Sequence, residues 1–454
     1  MVGSAWDARP LLDRVRLSED PSLGAEIVGR LPAASEPRAV SVTDLLSPRR
    51  AFWRRLRGPA PVPLEREARM ELGRAWHRRL GHVLAADGTL EVHLRSGGLT
   101  GRIDLLADVP VEIKTGAAPS NGGEAADWPE QVAQLAVYCA LVGSPTGRLA
   151  HLAVPDDGPP TLSVGEFRFR DLAGVVDAVR VREAELRTAI LAERPGGLPP
   201  CAWLGRGCEF RTAGICDCRG DEVGEPLSAS EHVERRVGRP DLGTRWLRAL
   251  ETLGPSSESV APHFRDLLYP RRAFYDRTQG RPPAAYSARP PSAPLDPYER
   301  TIVALERGAV GEVHRLRARP GAPEEDVLAW RGAPCLIRSS RVRPRLTVDE
   351  VKARFSQYLL DLGLRCGATG VDHGTLIVSY DAVGQNELPV QVFRTELSDG
   401  AGLFATALAE RSAALGQAIS GNDPAGLPSC PDWMVSTCPY RATCACGPVG
   451  RSQR

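Results

Sequence analysis

The chain repeats itself, and that repeat limits the folds open to it more than any other feature. Pro48-Arg49-Arg50-Ala51-Phe52 returns as Pro270-Arg271-Arg272-Ala273-Phe274 in the second half of the chain. Gly197-Leu198-Pro199-Pro200-Cys201 returns as Gly426-Leu427-Pro428-Ser429-Cys430. Each of the two Gly-Leu-Pro segments opens a cysteine group that closes on Cys-x-Cys. Matches in the same order at nearly one offset imply two copies of one domain. A length of 454 residues accommodates that, at roughly 100–200 residues per domain. We expect a terminal arm or small cap at 1–38, a first domain at 39–220, a linker at 221–258 and a second domain at 259–450.

Eight of the eleven cysteines fall in the two groups, Cys201, Cys208, Cys216 and Cys218, then Cys430, Cys438, Cys444 and Cys446. Disulfide frameworks belong to small secreted domains, whereas clustered cysteines in a large chain more often bind metal. Four thiolates suit either a [4Fe–4S] cluster or tetrahedral Zn²⁺. Spacing leaves these open, because the short Cys-x-x-Cys knuckles of zinc ribbons are absent. The third reading is free or redox-active thiols. No apolar run approaches the ~18–20 residues of a membrane span, and the start lacks a charged segment followed by an apolar one, so the expectation is a soluble, cytoplasmic protein without a membrane partner. A net charge of +1 confines any nucleic-acid surface to a local patch.

Between the repeated segments the apolar spacing alternates between helix and strand periods. A helix starts near Ser41, with Ser41 or Thr43 as its cap, and a second covers about 65–84. Residues 90–94, 99–106 and 109–114 read as strands joined by short turns, 127–141 as a helix, 149–154 and 162–169 as strands, and 171–192 as a long helix. That succession implies an α/β layered domain.

Two of these strands carry a chemical pattern. Gly101-Arg102-Ile103-Asp104 ends in one, and Val111-Glu112-Ile113-Lys114 follows in the next. Glu112 and Lys114, two positions apart, point to one face of the strand while Ile113 faces the core. Hydrolysis of a phosphodiester near neutral pH needs a hydroxide and shielding of the charge that builds on phosphorus. Carboxylate-held Mg²⁺ or Mn²⁺ supplies both. The chain has 57 basic residues but lysine only at Lys114 and Lys352. A sequence that writes nearly every basic residue as arginine keeps an amine at this spot, where a compact group of tunable pKa differs most from a guanidinium.

At this point the chain resembles the RecB-like branch of the PD-(D/E)XK nucleases, including the CRISPR-associated iron–sulfur exonucleases. It carries Gly73-x-x-x-His77, Gly101-Arg102-Ile103-Asp104, Glu112-Ile113-Lys114-Thr115-Gly116 and Gln134-x-x-x-Tyr138, in the branch's order and in one continuous region from Gly73 to Tyr138. The resemblance implies a restriction-endonuclease-like mixed sheet flanked by helices. It implies metal ligation by His77, Asp104, Glu112 and the Ile113 carbonyl, and a Lys114 that orients the nucleophile. Gln134 and Tyr138, one helical turn apart, would contact substrate or steady Lys114. The implied activity is Mg²⁺- or Mn²⁺-dependent hydrolysis of DNA at ends or in single strands, as in exonucleases and DNA repair, with a helicase or CRISPR adaptation partner. The other reading is a non-catalytic nucleic-acid-binding or scaffold protein with a vestigial site. In the family's iron–sulfur members one cluster ligand precedes the nuclease motifs. That position is Ser47 in the first copy and Tyr269 in the second, so the pattern departs there. Each group has instead a fourth cysteine, which would complete a local site. Cys208-x-x-Arg211 and Cys438-x-Tyr440-Arg441 resemble the family's cysteine–aromatic–arginine segment.

The second copy loses the chemistry. Aligning Pro334 with Pro110 sets Leu336 on Glu112, Arg338 on Lys114 and Leu328 on Asp104, and four positions beyond Gln357 stands Asp361 instead of tyrosine. Leucine at both carboxylate positions cannot hold Mg²⁺. The expected fold is therefore present twice, each copy with its cysteine cluster, and only the first copy is active.

Overall fold

The computed structural model describes residues 6–444 except 34, 59, 61–63, 117–128, 156–158, 202–207, 217, 219–226, 228–231, 253–261, 280–294, 320–321, 324, 341–345, 381–388, 399, 432–433, 435–437 and 442, and for 64–72 the backbone only. The fold is α/β, with parallel and antiparallel strands. In chain order the strands are β1 (Val15–Glu19), β2 (Val40–Ser41), β3 (Thr89–Ser96), β4 (Leu99–Leu106), β5 (Pro110–Gly116), β6 (Thr146–Ala153) and β7 (Thr161–Phe169). Then come β8 (Val233–Gly238), β9 (Val313–Leu316), β10 (Val327–Trp330), β11 (Ala333–Ser340), β12 (His373–Tyr380) and β13 (Val390–Leu397). The chain divides into two compact units, Pro32–Ser257 with Tyr286–Arg315, and Met1–Leu31 with Glu258–Ala285 and Leu316–Arg454.

In the unit that begins at Pro32, the strand order is β9-β3-β4-β5-β6-β7-β8, with β2 beside β4. Strands β3, β4 and β5 run antiparallel through short turns, but β6 lies parallel to β5. A parallel neighbour needs a crossover, and the helix Pro129–Val142 supplies it. Both faces of the sheet are covered. One carries Leu135, Leu149, Phe167, Val179 and Leu186, the other Leu80, Leu84, Val111, Ile113 and Trp246. Covered on both sides, β5 is buried at four successive positions, Pro110, Val111, Glu112 and Ile113, rather than at alternate ones.

The other unit has the order β1-β13-β12-β11-β10. Its parallel pair is β11 with β12, and its crossover contains the helices Val348–Arg354 and Ser356–Thr369. The β10–β11 hairpin turns on Arg331 and Gly332, both at positive φ, the backbone that tight two-residue hairpins demand. Phe264, Phe274, Tyr380, Phe393 and Phe404 pack in its core.

Within each unit an early helix pair is tied to the cysteine-bearing end. The Arg49 guanidinium donates to the Leu198 carbonyl at 2.9 Å. The Arg271 guanidinium donates to the Leu427 carbonyl at 2.6 Å and to the Cys444 carbonyl at 3.3 Å. The repeated Pro-Arg-Arg and Gly-Leu-Pro segments are thus the two halves of one contact. A second shared device lies just upstream. Asp44 closes a capping box with Ser41 and accepts from Arg54 and Arg55, and Asp266 caps at His263 and accepts from Arg277 at 2.7 Å. Both aspartates are buried.

Two expected boundaries change. Within 1–38, expected as an arm or small cap, Val15–Glu19 forms β1, antiparallel to β13, and Pro21–Arg30 is a helix with Asp20 as its cap. The pattern was illegible because β1 is an edge strand with a mostly exposed alternation. Nor is 221–258 only a linker. It carries β8, which pairs with β7, and the helix Pro240–Thr252, which buries Leu242, Trp246 and Leu250.

Burial alone would raise the pKa of Asp44, and the Arg55 and Arg54 charges outweigh it, so the carboxyl sits below its usual range. A depressed folded pKa stabilises above the unfolded value and loses that contribution as pH falls. Asp44→Ala should cost about 2–3 kcal/mol at neutral pH, because Arg54 and Arg55 still reach water, and lower Tm by on the order of 5–10 °C. The gap between variant and wild type should close as the pH drops below about 4, which thermal unfolding across pH reads directly.

Candidate functional site

Strand pairing builds the site. Leu105 pairs with Val111 and Leu106 with Pro110, so Asp104 on β4 stands across from Glu112 on β5. Leu90 pairs with Leu105 and Val92 with Ile103, so Glu91 on β3 stands across from Asp104 on its other side. Three carboxylates therefore lie in one row across adjacent strands. Asp104 is 8% exposed and Glu112 1%. The Asp104 Oδ2 accepts the Ile113 amide at 2.7 Å, which anchors it to the neighbouring strand. Its Oδ1 faces His77 Nε2 at 3.7 Å.

The glycines of the sequence pattern have steric reasons. A Cβ on Gly101 would lie 2.9 Å from Tyr138 Cε1 and 3.1 Å from Val42 Cγ2, so only glycine lets that ring reach the sheet. Gly73, on the helix Leu64–Leu84, accepts the Thr115 hydroxyl at its carbonyl at 3.0 Å, and a Cβ there would press on the same hydroxyl at 3.3 Å. This contact sets the helix close to the end of β5 and positions His77 one turn later.

Lys114 joins strand to helix. Its Nζ donates to Glu112 Oε1 and, at 2.9 Å, to Gln134 Oε1. The Gln134 amide in turn donates to the Tyr138 oxygen at 3.2 Å. Burial, then the nearby Asp104 charge, pushes the Glu112 carboxyl up to about 8 against the pull of Lys114. Desolvation works against the Lys114 ammonium, yet Glu112 and Asp104 outweigh it and raise its pKa. Burial also drives the Tyr138 phenol up, with Glu112 and Asp104 adding to it, so Tyr138 stays protonated. The second Glu112 oxygen, Oε2, is buried without a hydrogen-bond partner. A buried carboxylate oxygen left unsatisfied costs free energy that a cation would return.

The structure brings together Asp104, Glu112, Lys114, Gln134 and Tyr138, sets His77 at their edge, and shows Ile113 there through its amide, which donates to Asp104. His77, Glu91 and Asp104 offer ligand atoms all within 4.8 Å of one another, a nitrogen-and-oxygen donor set that could hold a metal ion. Sequence reading missed Glu91. Counting back across the Gly97-Gly98 hairpin would have found it, since that register sets residue 91 opposite 104.

The cysteine group of this unit is also assembled. Cys201, Cys208, Cys216 and Cys218 pack as one buried set with Phe210, and Cys216 Sγ lies 3.3 Å from Cys218 Sγ. The Arg50 amide, at the opening of the helix Pro48–Arg57, donates to Cys201 Sγ at 3.3 Å, and Arg49 reaches Cys218 Sγ at 3.7 Å. Burial pushes the Cys201 thiol up to about 11 and Cys216 to about 12. In the other unit Cys430, Cys438 and Cys444 are buried, while Cys446 lies outside the described residues. Among the described residues no helix is long and apolar enough to cross a membrane.

No family model matches the chain, and no curated protein matches it. Among solved structures, a chain titled "Crystal structure of SSO0001" aligns with 43% of this chain and 94% of its own length, at 20% identity and a TM-score of 0.27. A likeness at that score is too slight for fold or function to be read from it.

Proposed function

We propose that the protein is a Mg²⁺- or Mn²⁺-dependent nuclease of the PD-(D/E)XK type, acting on DNA through the row of Asp104 and Glu112 with Lys114. The observation that carries the reading is Glu112, buried in the sheet with one oxygen held by Lys114 and the other without a partner. That second oxygen is available to a cation. His77, Asp104, Glu112 and the Ile113 carbonyl would hold the cation, which when bound supplies Lewis acidity toward a phosphoryl oxygen. Lys114 keeps an ammonium beside the carboxylates, fixed from the helix side by Gln134, and Tyr138 fixes Gln134. The succession of helix Leu64–Leu84, β3 to β5, helix Pro129–Val142 and parallel β6 is what a restriction-endonuclease-like domain requires.

We further propose that the two units are copies and that the second is catalytically silent. In β11 and β12, Leu336 pairs with Leu376 and Arg338 with Val378, as Glu112 pairs with Leu149 and Lys114 with His151. Register corrects one alignment: Ala329 pairs with Pro334 and Trp330 with Ala333, which puts Val327 rather than Leu328 in the place of Asp104. Either way no carboxylate is there. The four-thiol groups would hold a structural metal, which we assign as [4Fe–4S], with Zn²⁺ as the other candidate.

Three outcomes test this. Glu112→Ala should abolish Mn²⁺-dependent cleavage of labelled DNA while leaving DNA binding largely intact, and Lys114→Arg should be severely impaired because the wider fork cannot take the ammonium's place. Wild-type protein that cuts neither DNA nor RNA with Mg²⁺ or Mn²⁺ sinks the reading. Arg338→Ala should leave the cleavage rate per bound substrate unchanged. Protein purified without oxygen should be brown, absorb broadly near roughly 400 nm and carry about four iron atoms per cysteine group; two zinc ions in a colourless sample would replace iron–sulfur with structural zinc.

A further inference from the structure

We infer that Glu91 is a further ligand of the metal site and that Arg102 is the residue positioning it, an inference that rests on the metal-dependent reading above. The pattern Gly101-x-Ile103-Asp104 names neither residue's role, since Arg102 occupies its unspecified place and Glu91 lies on a different strand.

Three observations converge on Glu91. Its carboxylate belongs to the group in which His77, Glu91 and Asp104 ligand atoms all fall within 4.8 Å. It is across from Asp104 in the β3–β4 register, so it extends the carboxylate row on the side opposite Glu112. And its backbone has φ of 50°, the left-handed region, in the middle of a strand. Glutamate has no intrinsic liking for that conformation, which costs on the order of 1 kcal/mol or more and gathers at ligand and active sites. An ordinary cross-strand ion pair requires no such backbone, because extended residues at neighbouring positions already reach one another.

Arg102 accounts for the rest. Its Nε donates to Glu91 Oε2 at 2.6 Å, with the Glu91 side chain 13% exposed and that of Arg102 52% exposed. The guanidinium therefore approaches from the solvent side and grips a mostly buried carboxylate. A carboxylate held by a guanidinium has its direction fixed, the arrangement by which outer partners orient metal ligands. The site would then be flanked by two carboxylates, each steadied by its own cation: Glu112 by Lys114 and Glu91 by Arg102.

The experiment is Mn²⁺ binding to the full chain, freed of divalent cations, followed by calorimetry and by the loss of the free-Mn²⁺ electron paramagnetic resonance signal. Glu91→Gln, which keeps size and hydrogen bonding but not charge, should weaken Mn²⁺ tenfold or more. Glu91→Asp should fall between it and wild type. Arg102→Gln should weaken it severalfold, with partial recovery in Arg102→Lys. The double variant Glu91→Gln with Arg102→Gln should bind no more weakly than Glu91→Gln alone, because a positioning residue has nothing left to position. Thermal unfolding without metal checks that each variant is folded before its affinity is compared. Should Asp104→Asn lose Mn²⁺ while Glu91→Gln binds as wild type does, Glu91 is no ligand and the nuclease reading survives. Additive losses in the double variant would overturn the role of Arg102. Wild-type protein that binds no Mn²⁺ would overturn the inference together with the reading beneath it.

Discussion

In each unit an arginine at an early helix fastens that helix to the segment that opens the cysteine group. In one unit Arg49 reaches the Leu198 carbonyl across most of the domain's length, and in the other Arg271 reaches Leu427 over a similar span. Such a contact is charge-assisted and directional, and it satisfies carbonyls at a turn that no strand or helix would otherwise use. The cost of closing a long loop grows only slowly with its length, so the wide sequence separation of the two partners adds little to what packing must offset. The cysteines gather at that junction. The Arg50 amide, one of the first-turn donors a helix leaves unsatisfied, finds its acceptor in Cys201. A metal held there would reinforce a closure the polypeptide already makes.

The carboxylate row sits within this closed frame, and its geometry follows from packing. Gly101 makes room for the Tyr138 ring, Tyr138 accepts from Gln134, and Gln134 accepts from Lys114. One missing Cβ on a strand thus controls the approach of a helix that fixes an ammonium on the neighbouring strand. The same logic joins Gly73 to Thr115. What looks in the sequence like a string of separate signatures is a single set of contacts, and each glycine is there because another side chain occupies its space.

This explains what could be read from the sequence and what could not. The strands around Asp104 and Glu112 were legible because their alternation is strong and their turns are short, and the expected 99–106 coincides with β4. That Lys114 and Glu112 share one face of β5 followed from strand period alone. Glu91 was hidden because its importance arises from Asp104, across a hairpin, and its strained backbone leaves no local mark. The N-terminal strand β1 was hidden for another reason. An edge strand with exposed residues at most places lacks the apolar contrast on which pattern reading depends. Its partner, β13, begins only at Val390, so no local pattern could have joined the two.

On the proposed duplication, the second unit shows what must change when such a site is given up. With Leu336 in the place of Glu112, the cation on the same strand loses its carboxylate and needs another. Arg338 finds it on the helix Ser356–Thr369, where it donates to Asp361 Oδ2 at 2.8 Å, while Arg365 takes Oδ1 at 2.7 Å. Asp361 stands on the crossover helix, as Gln134 does in the first unit. The carboxylate has in effect moved from strand to helix, and charge balance is kept. Its chemistry is not. Both Asp361 oxygens are taken by guanidinium groups in a buried setting, so neither is left for a metal ion, whereas Glu112 keeps Oε2 without a protein partner. A buried carboxylate can be used for holding a fold or for holding a metal, and on the proposed reading Asp361 does the first and Glu112 the second.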